Sequence, residues 1–154
     1  MKKKLIAMLL VATFLVSGFC VSGMETKAAG VEEDVDVSYL LLDDALIGYA
    51  EIKTRGVWLL DGYSIINDAG SGKIGCGGIT NAALRCRVSV NAIVERKEGS
   101  NWVVVTQWTK TNESAFTASV SKTLSVKSGY WYRVYSIHYA ASDTSSSWTS
   151  ALWM

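Results

Sequence analysis

Leu84-Arg85-Cys86-Arg87-Val88-Ser89-Val90-Asn91-Ala92-Ile93-Val94 alternates with a period of two. The even positions are apolar throughout. The odd positions are polar except for Ile93. Successive side chains of a strand point to opposite faces, so this pattern predicts a strand with one face in a core and one in water. On a helix the same residues would scatter around the circumference. Phe116 to Val126 repeats the pattern, with Phe116, Ala118, Val120, Leu124 and Val126 set against Thr117, Ser119, Ser121, Thr123 and Ser125.

Turn signals separate the alternating runs. Glu98-Gly99-Ser100-Asn101 reads as a hairpin tip, Ser128-Gly129 precedes Tyr130, and Asp143 to Ser147 precedes Trp148. The expected strands lie near residues 55–60, 72–80, 84–97, 102–109, 115–126, 130–141 and 147–153. Short strands in this number, with no helical periodicity, predict a sandwich or barrel.

Val126-Lys127-Ser128-Gly129-Tyr130-Trp131-Tyr132-Arg133-Val134 resembles the corner between two strands of fibronectin type III and other immunoglobulin-like sandwiches. The resemblance implies an all-β, antiparallel sandwich in which Tyr132 is a structural residue that ties the corner through its hydroxyl. The chain has no proline, unlike typical fibronectin type III domains. The chain also resembles a family of small secreted proteins of Gram-positive bacteria, classed as a domain of unknown function. This resemblance rests on Arg55-Gly56-Val57-Trp58-Leu59, Ala69-Gly70-Ser71-Gly72-Lys73-Ile74, Gly99-Ser100-Asn101-Trp102 with Trp108, and Gly129 to Val134. It implies export and a β-sandwich and assigns no activity.

The N-terminus gives an independent reason to expect export. Lys2, Lys3 and Lys4 precede an uncharged apolar run from Leu5 to Val21, and small residues follow up to Ala28-Ala29. A basic start, an apolar core and a small-residue exit describe a secretory signal peptide over 1–29. A membrane anchor is the alternative, because the run is nearly long enough to span a bilayer. Lipidation at Cys20 is disfavoured by the bulky Phe19 before it. Residues 30–53 carry Glu32, Glu33, Asp34, Asp36, Asp43 and Asp44 and read as an acidic linker, with a short helix or strand around Tyr39 to Ile47. Residues 54–154 would be the sandwich domain.

Four of the 15 basic and one of the 14 acidic residues precede residue 30, leaving 11 and 13, a net charge of −2. That balance argues against nucleic acid, which needs a basic face, and against a cationic membrane-active peptide.

Cys76 and Cys86 stay in the exported part. They are expected on neighbouring strands joined by a turn at Asn81-Ala82-Ala83. Export permits a disulfide between them, which would contribute about 3 kcal/mol. Two packed thiols are the other reading. His138, the single histidine, falls on the inward parity of its strand, and no nucleophile or orienting partner is nominated for it. Gly70-Ser71-Gly72-Lys73 lacks the spacing and following helix of a phosphate loop. Asp61, Asn67 and Asp68 offer oxygen ligands without a calcium-loop pattern, and turn chemistry explains them equally well. No cofactor or metal is expected.

The informative surplus is aromatic. All six Trp and seven Tyr lie after residue 30. With Tyr132 and Val134 inward, the same strand places Trp131, Arg133, Tyr135, Ile137 and Tyr139 on its other face. Either these rings are a binding face, or the linker or another chain covers them as ordinary core. The expectation is a secreted, non-enzymatic module that binds a glycan, cell-wall polymer or protein through Trp131, Arg133, Tyr135 and Tyr139. A secreted bacteriocin-like antagonistic factor is the alternative, and an exported hydrolase ranks last.

Overall fold

The computed structural model describes residues 44–52 and 56–154. The expected signal peptide over 1–29 and most of the acidic linker lie outside the described residues. The fold is all-β and antiparallel. Its seven strands are β1 (Leu46–Tyr49), β2 (Leu59–Gly70), β3 (Lys73–Glu98), β4 (Asn101–Ser125), β5 (Trp131–Ala140), β6 (Asp143–Trp148) and β7 (Leu152–Trp153). No helix occurs among the described residues.

Two of the strands are far longer than the sequence pattern suggested. The expected strands 72–80 and 84–97 are the two halves of β3, and 102–109 and 115–126 are the two halves of β4. The residues taken for a turn at 81–83 form a bend inside β3. There Asn81 pairs with Thr117 and Cys86 with Ala115, so residues 82–85 of β3 face Phe116 alone. A bulge of this size bends its strand sharply. The small Ala82 and Ala83 suit the bend, and Ala83 N–H donates to the Trp58 carbonyl at 2.7 Å.

The bend folds one continuous sheet into two facing layers. The first layer holds β1, β2, the start of β3 and the end of β4. The second holds the start of β4, the end of β3, β5 and β6, with β7 also on β5. Ile66, Ile74 and Cys76 from the first layer and Val88, Val90, Val94 and Val134 from the second are fully buried between them. Each such aliphatic side chain contributes about 1.5–3 kcal/mol by leaving water. Leu84 and Phe116, expected inside, are instead about half exposed at 48% and 49% because they sit in the bend, where alternation breaks.

The expected tyrosine corner is present. Tyr132 is buried, and its hydroxyl donates to the Lys127 carbonyl at 2.8 Å, pinning the passage from β4 to β5. The likeness to immunoglobulin-like sandwiches lies in this corner and in the two-layer architecture. β2, β3 and β4 follow one another as successive hairpins.

Two expectations around β2 need correction. Asp61 and Asn67, for which turn chemistry was one reading, lie well within β2, whereas Asp68 does serve the turn at its end. Gly62 is required there because a side chain would meet the His138 ring, its Cβ lying 2.6 Å from the imidazole Cγ. Asp61 accepts from the Asn81 side chain at 2.6 Å, and Asp68 accepts from Gly70 N–H at 2.8 Å at the hairpin tip. Asp61 and Asp68 stand seven residues apart on one extended strand, roughly 23 Å, too far to share an ion. The last part of the expected linker, Leu46–Tyr49, is the strand β1 paired to β2.

Cys76 and Cys86 are both free. They lie on the same strand, ten residues apart, so the neighbouring-strand geometry on which a bridge depended does not exist. The buried Cys76 thiol donates to the Lys122 carbonyl at 3.3 Å, and burial pushes its pKa up to about 12. Cys86 is half-buried at the bend.

Candidate functional site: the outer face of the second layer

β5 alternates cleanly. Tyr132, Val134, Ser136, His138 and Ala140 are buried, while Trp131, Arg133, Tyr135, Ile137 and Tyr139 point outward. Sequence parity therefore placed the aromatic ladder correctly. Trp131 is 43% and Tyr139 40% exposed, and Tyr135 is half-buried. The described chain does not bury the ladder as core.

Cross-strand register brings further residues to this face. The turn at Ala141 pairs Tyr135 with Trp148, Ile137 with Ser146 and Tyr139 with Thr144. On the other side β3 sets Ile93, Asn91 and Ser89 beside the same three β5 residues, and β4 adds Gln107, Thr109 and Thr111 beyond them. The face is thus a set of rows crossing four strands. One row ends in the Tyr135 and Trp148 rings; the next two are mostly hydroxyl and amide. At the near end Trp131 pairs with Trp153.

The rings hold one another. Tyr135 and Trp148 are stacked with centroids 5.0 Å apart, and Trp131 and Trp153 meet edge-on at 5.3 Å. Such pairs contribute about 0.5–1.5 kcal/mol beyond burial, so each ring is oriented before any ligand arrives. Arg133 sits between the two pairs. Its Nε donates to Glu95 Oε2 at 2.6 Å, and its guanidinium lies 4.2 Å from the Trp102 ring centroid. Arg133 is therefore neutralised and stacked, an arrangement that depends on the planar guanidinium.

Two shallow grooves, each of about 300 Å³, open on this face. The first is lined by Tyr135, Ile137, Thr144, Ser146 and Trp148, and Glu51 closes its end. Ser145 Oγ holds that end by donating to the Glu51 carbonyl at 2.7 Å. The second is lined by Ser89, Thr109, Thr111 and Tyr139, with Arg87 at its rim. Arg87 in turn pairs with Glu113 at 3.2 Å. The Asn91 side-chain carbonyl, on the same face, is buried without a hydrogen-bond partner.

His138 belongs to the opposite, inner face, as its parity predicted. It is fully buried, with Nδ1 2.8 Å from Thr80 Oγ1 and Nε2 2.8 Å from Ser147 Oγ. Thr80 donates its own proton to the Ser89 carbonyl at 3.0 Å. Its oxygen must then accept from Nδ1–H, which leaves Nε2 to accept from Ser147. Ser64 Oγ extends the chain, 2.6 Å from Ser147 Oγ and donating to the Ser147 carbonyl at 3.2 Å. Burial lowers the His138 pKa to about 4, an effect that the negative charge of Asp61 only partly opposes. The Ser147–His138 pair has the hydrogen bond of an activated nucleophile, but both residues are fully buried. The network links β2 and β3 to β5 and β6 and so joins the two layers.

Sequence reasoning missed Trp148 and Trp153 as members of the face. The signal was available: a two-residue turn at 141–142 fixes the pairing of Tyr135 with Trp148. That turn was hidden because its positive φ of 49° falls on Ala141 rather than on Gly or Asn. No protein-family model and no curated protein matches this chain. Among the described residues no helix is long and apolar enough to cross a membrane.

Proposed function

We propose that this protein is a secreted, non-enzymatic binding module that captures its ligand on the outer face of the second layer, and that it belongs with the small secreted Gram-positive proteins it resembles. One observation carries the reading. Four large rings, Trp131, Tyr139, Trp148 and Trp153, stay 40–55% exposed on one face, although the same sheet buries its inner side chains completely. Oriented aromatic rings next to small polar groups supply contact area at low ordering cost. A signal peptide over 1–29 is the route by which the chain would reach an extracellular ligand.

The test uses the exported protein on an array of glycans, peptidoglycan fragments and surface proteins. Trp131→Ala and Trp148→Ala are expected to lose capture. They should also keep most of their stability, because half-exposed rings cost less to remove than the roughly 3–5 kcal/mol of a buried one. Tyr132→Ala is the control that must lose stability. Unchanged capture by both ring variants would overturn the reading.

A further inference from the structure

Resting on that reading, we infer that the ligand is an uncharged, chain-form glycan lying across the strands, with Tyr139 between two subsites. The inference begins with charge. Among the described residues, the two arginines on or beside this face are each committed to a carboxylate, Arg133 to Glu95 and Arg87 to Glu113. Recruiting either for an anionic polymer would mean breaking an existing pair. Arg133 is held most firmly, because its salt bridge is partly buried and Trp102 stacks on it. Among the described residues the two grooves therefore hold no guanidinium free of a carboxylate, which favours a ligand without phosphate or carboxylate there.

The lining narrows the chemistry further. An apolar helix or strand from a protein partner would want an apolar floor. Here Ile137 is the one large aliphatic side chain of the floor, set among Thr109, Thr111, Thr144 and Ser146, and the unpartnered Asn91 carbonyl is buried in the same row as Ile137. Buried polar atoms in native structures normally find a partner, and a ligand hydroxyl would supply one after a small side-chain adjustment. Sugars match the combination of rings and hydroxyls. Their C–H faces carry slight positive charge and lie against the negative face of an aromatic ring, while their hydroxyls both donate and accept.

The dimensions call for a chain. The two grooves lie on opposite flanks of β5, one toward β6 and the other toward β3 and β4. From β4 to β6 is three strand spacings, about 14 Å, longer than one sugar ring. Each groove alone is at the lower end of small-molecule site volumes. A single sugar fills one groove, and only an oligosaccharide engages both.

Titration calorimetry on the exported protein tests this, with linear glucose and N-acetylglucosamine oligomers from monosaccharide to hexasaccharide. Polygalacturonate at low and high salt is the anionic comparison. Affinity should rise with chain length and level off once both grooves are filled, and it should be insensitive to salt. Tyr139→Ala and Trp148→Ala should each weaken binding by up to about tenfold, the equivalent of one aromatic contact. Thr109→Val, which keeps shape and loses a hydroxyl, should weaken the longer oligomers only. Length-independent binding, or tighter salt-sensitive binding of polygalacturonate, would overturn the inference. If no oligomer binds but the ring variants still lose capture of a protein on the array, the glycan inference falls and the binding-face reading stands. If the ring variants lose nothing in either assay, both fall.

Discussion

Acid should loosen this fold through one residue. His138 is the single histidine of the chain. Its folded pKa lies near 4 because burial penalises the imidazolium. In the unfolded chain a histidine takes up its proton near pH 6.5. Between those values the unfolded state binds more protons than the folded one, so stability rises with pH across the window. The contribution is fully present above about pH 6.5 and is lost as the pH falls toward 4. The whole difference is on the order of 3 kcal/mol, and about 2 kcal/mol is gone by pH 5. That is a large fraction of the roughly 5–15 kcal/mol that holds a domain together.

Two measurements check it. Thermal melts at a series of pH values should show the midpoint falling by roughly 10 °C between pH 7 and pH 5. Carboxylate protonation also acts at the acid end, so His138→Gln is run in parallel, and its slope above pH 5 should be much shallower. The imidazole ring proton of the folded protein can be followed by NMR without assignment, since only one histidine is present. A midpoint near 6.5 in the folded state would refute the reasoning, because it would mean that the ring is solvated and the Thr80–His138–Ser147 network is not formed.

Gly62→Ala should destabilise by more than the usual change in chain entropy, because the added Cβ would press on the His138 ring at 2.6 Å; a melt within a degree or two of the parent would show that the ring can move aside. The free cysteines should give an intact mass with no loss of two hydrogens, and iodoacetamide on the native protein should label Cys86 well before Cys76, whose buried thiol is held at a pKa of about 12. Resistance of Cys86 to alkylation without reductant would contradict this. Tyr132→Phe should cost about 1 kcal/mol for the lost hydrogen bond to Lys127, whereas Tyr132→Ala should cost about 3–5 kcal/mol; a Tyr132→Phe variant as stable as the parent in a urea titration would deny the corner hydroxyl any role.

The corner at Tyr132 was read from the resemblance to immunoglobulin-like sandwiches. Local alternation was enough to read the class of fold and the inner and outer faces of β5. These features depend only on a period of two and on short-range geometry, both visible in a single chain. Strand length was not legible. β3 and β4 each run through a bend that resembles a turn in sequence, and only the pairing partner shows that the ladder resumes beyond it. The roles of Gly62 and Asp61 in β2 were hidden for a related reason. Gly62 makes room for His138, which is far away in sequence, and Asp61 pairs with Asn81 on the next strand. Both residue types are common in turns, and their roles here are set by tertiary contacts.

The candidate site was legible to the same depth. Parity on β5 found the ladder, but the rest of the face belongs to other strands and follows from register. Once Tyr135 is placed opposite Trp148, two half-exposed rings become one stacked pair, and the hydroxyls of β4 and β6 line up beside them. The two faces of β5 then divide the labour within one strand. Inward, His138 is locked between Thr80 and Ser147 and ties the layers together at neutral pH. Outward, Tyr135, Ile137 and Tyr139 border the grooves. A change that frees His138 would therefore be felt at the ring face through the β5 backbone itself, with no intervening loop. Acid that weakens the inner network should loosen the grooves as well, so ligand affinity and stability should decline over the same range below pH 6.5. Loss of binding at a pH where the melt is unchanged would separate the two faces.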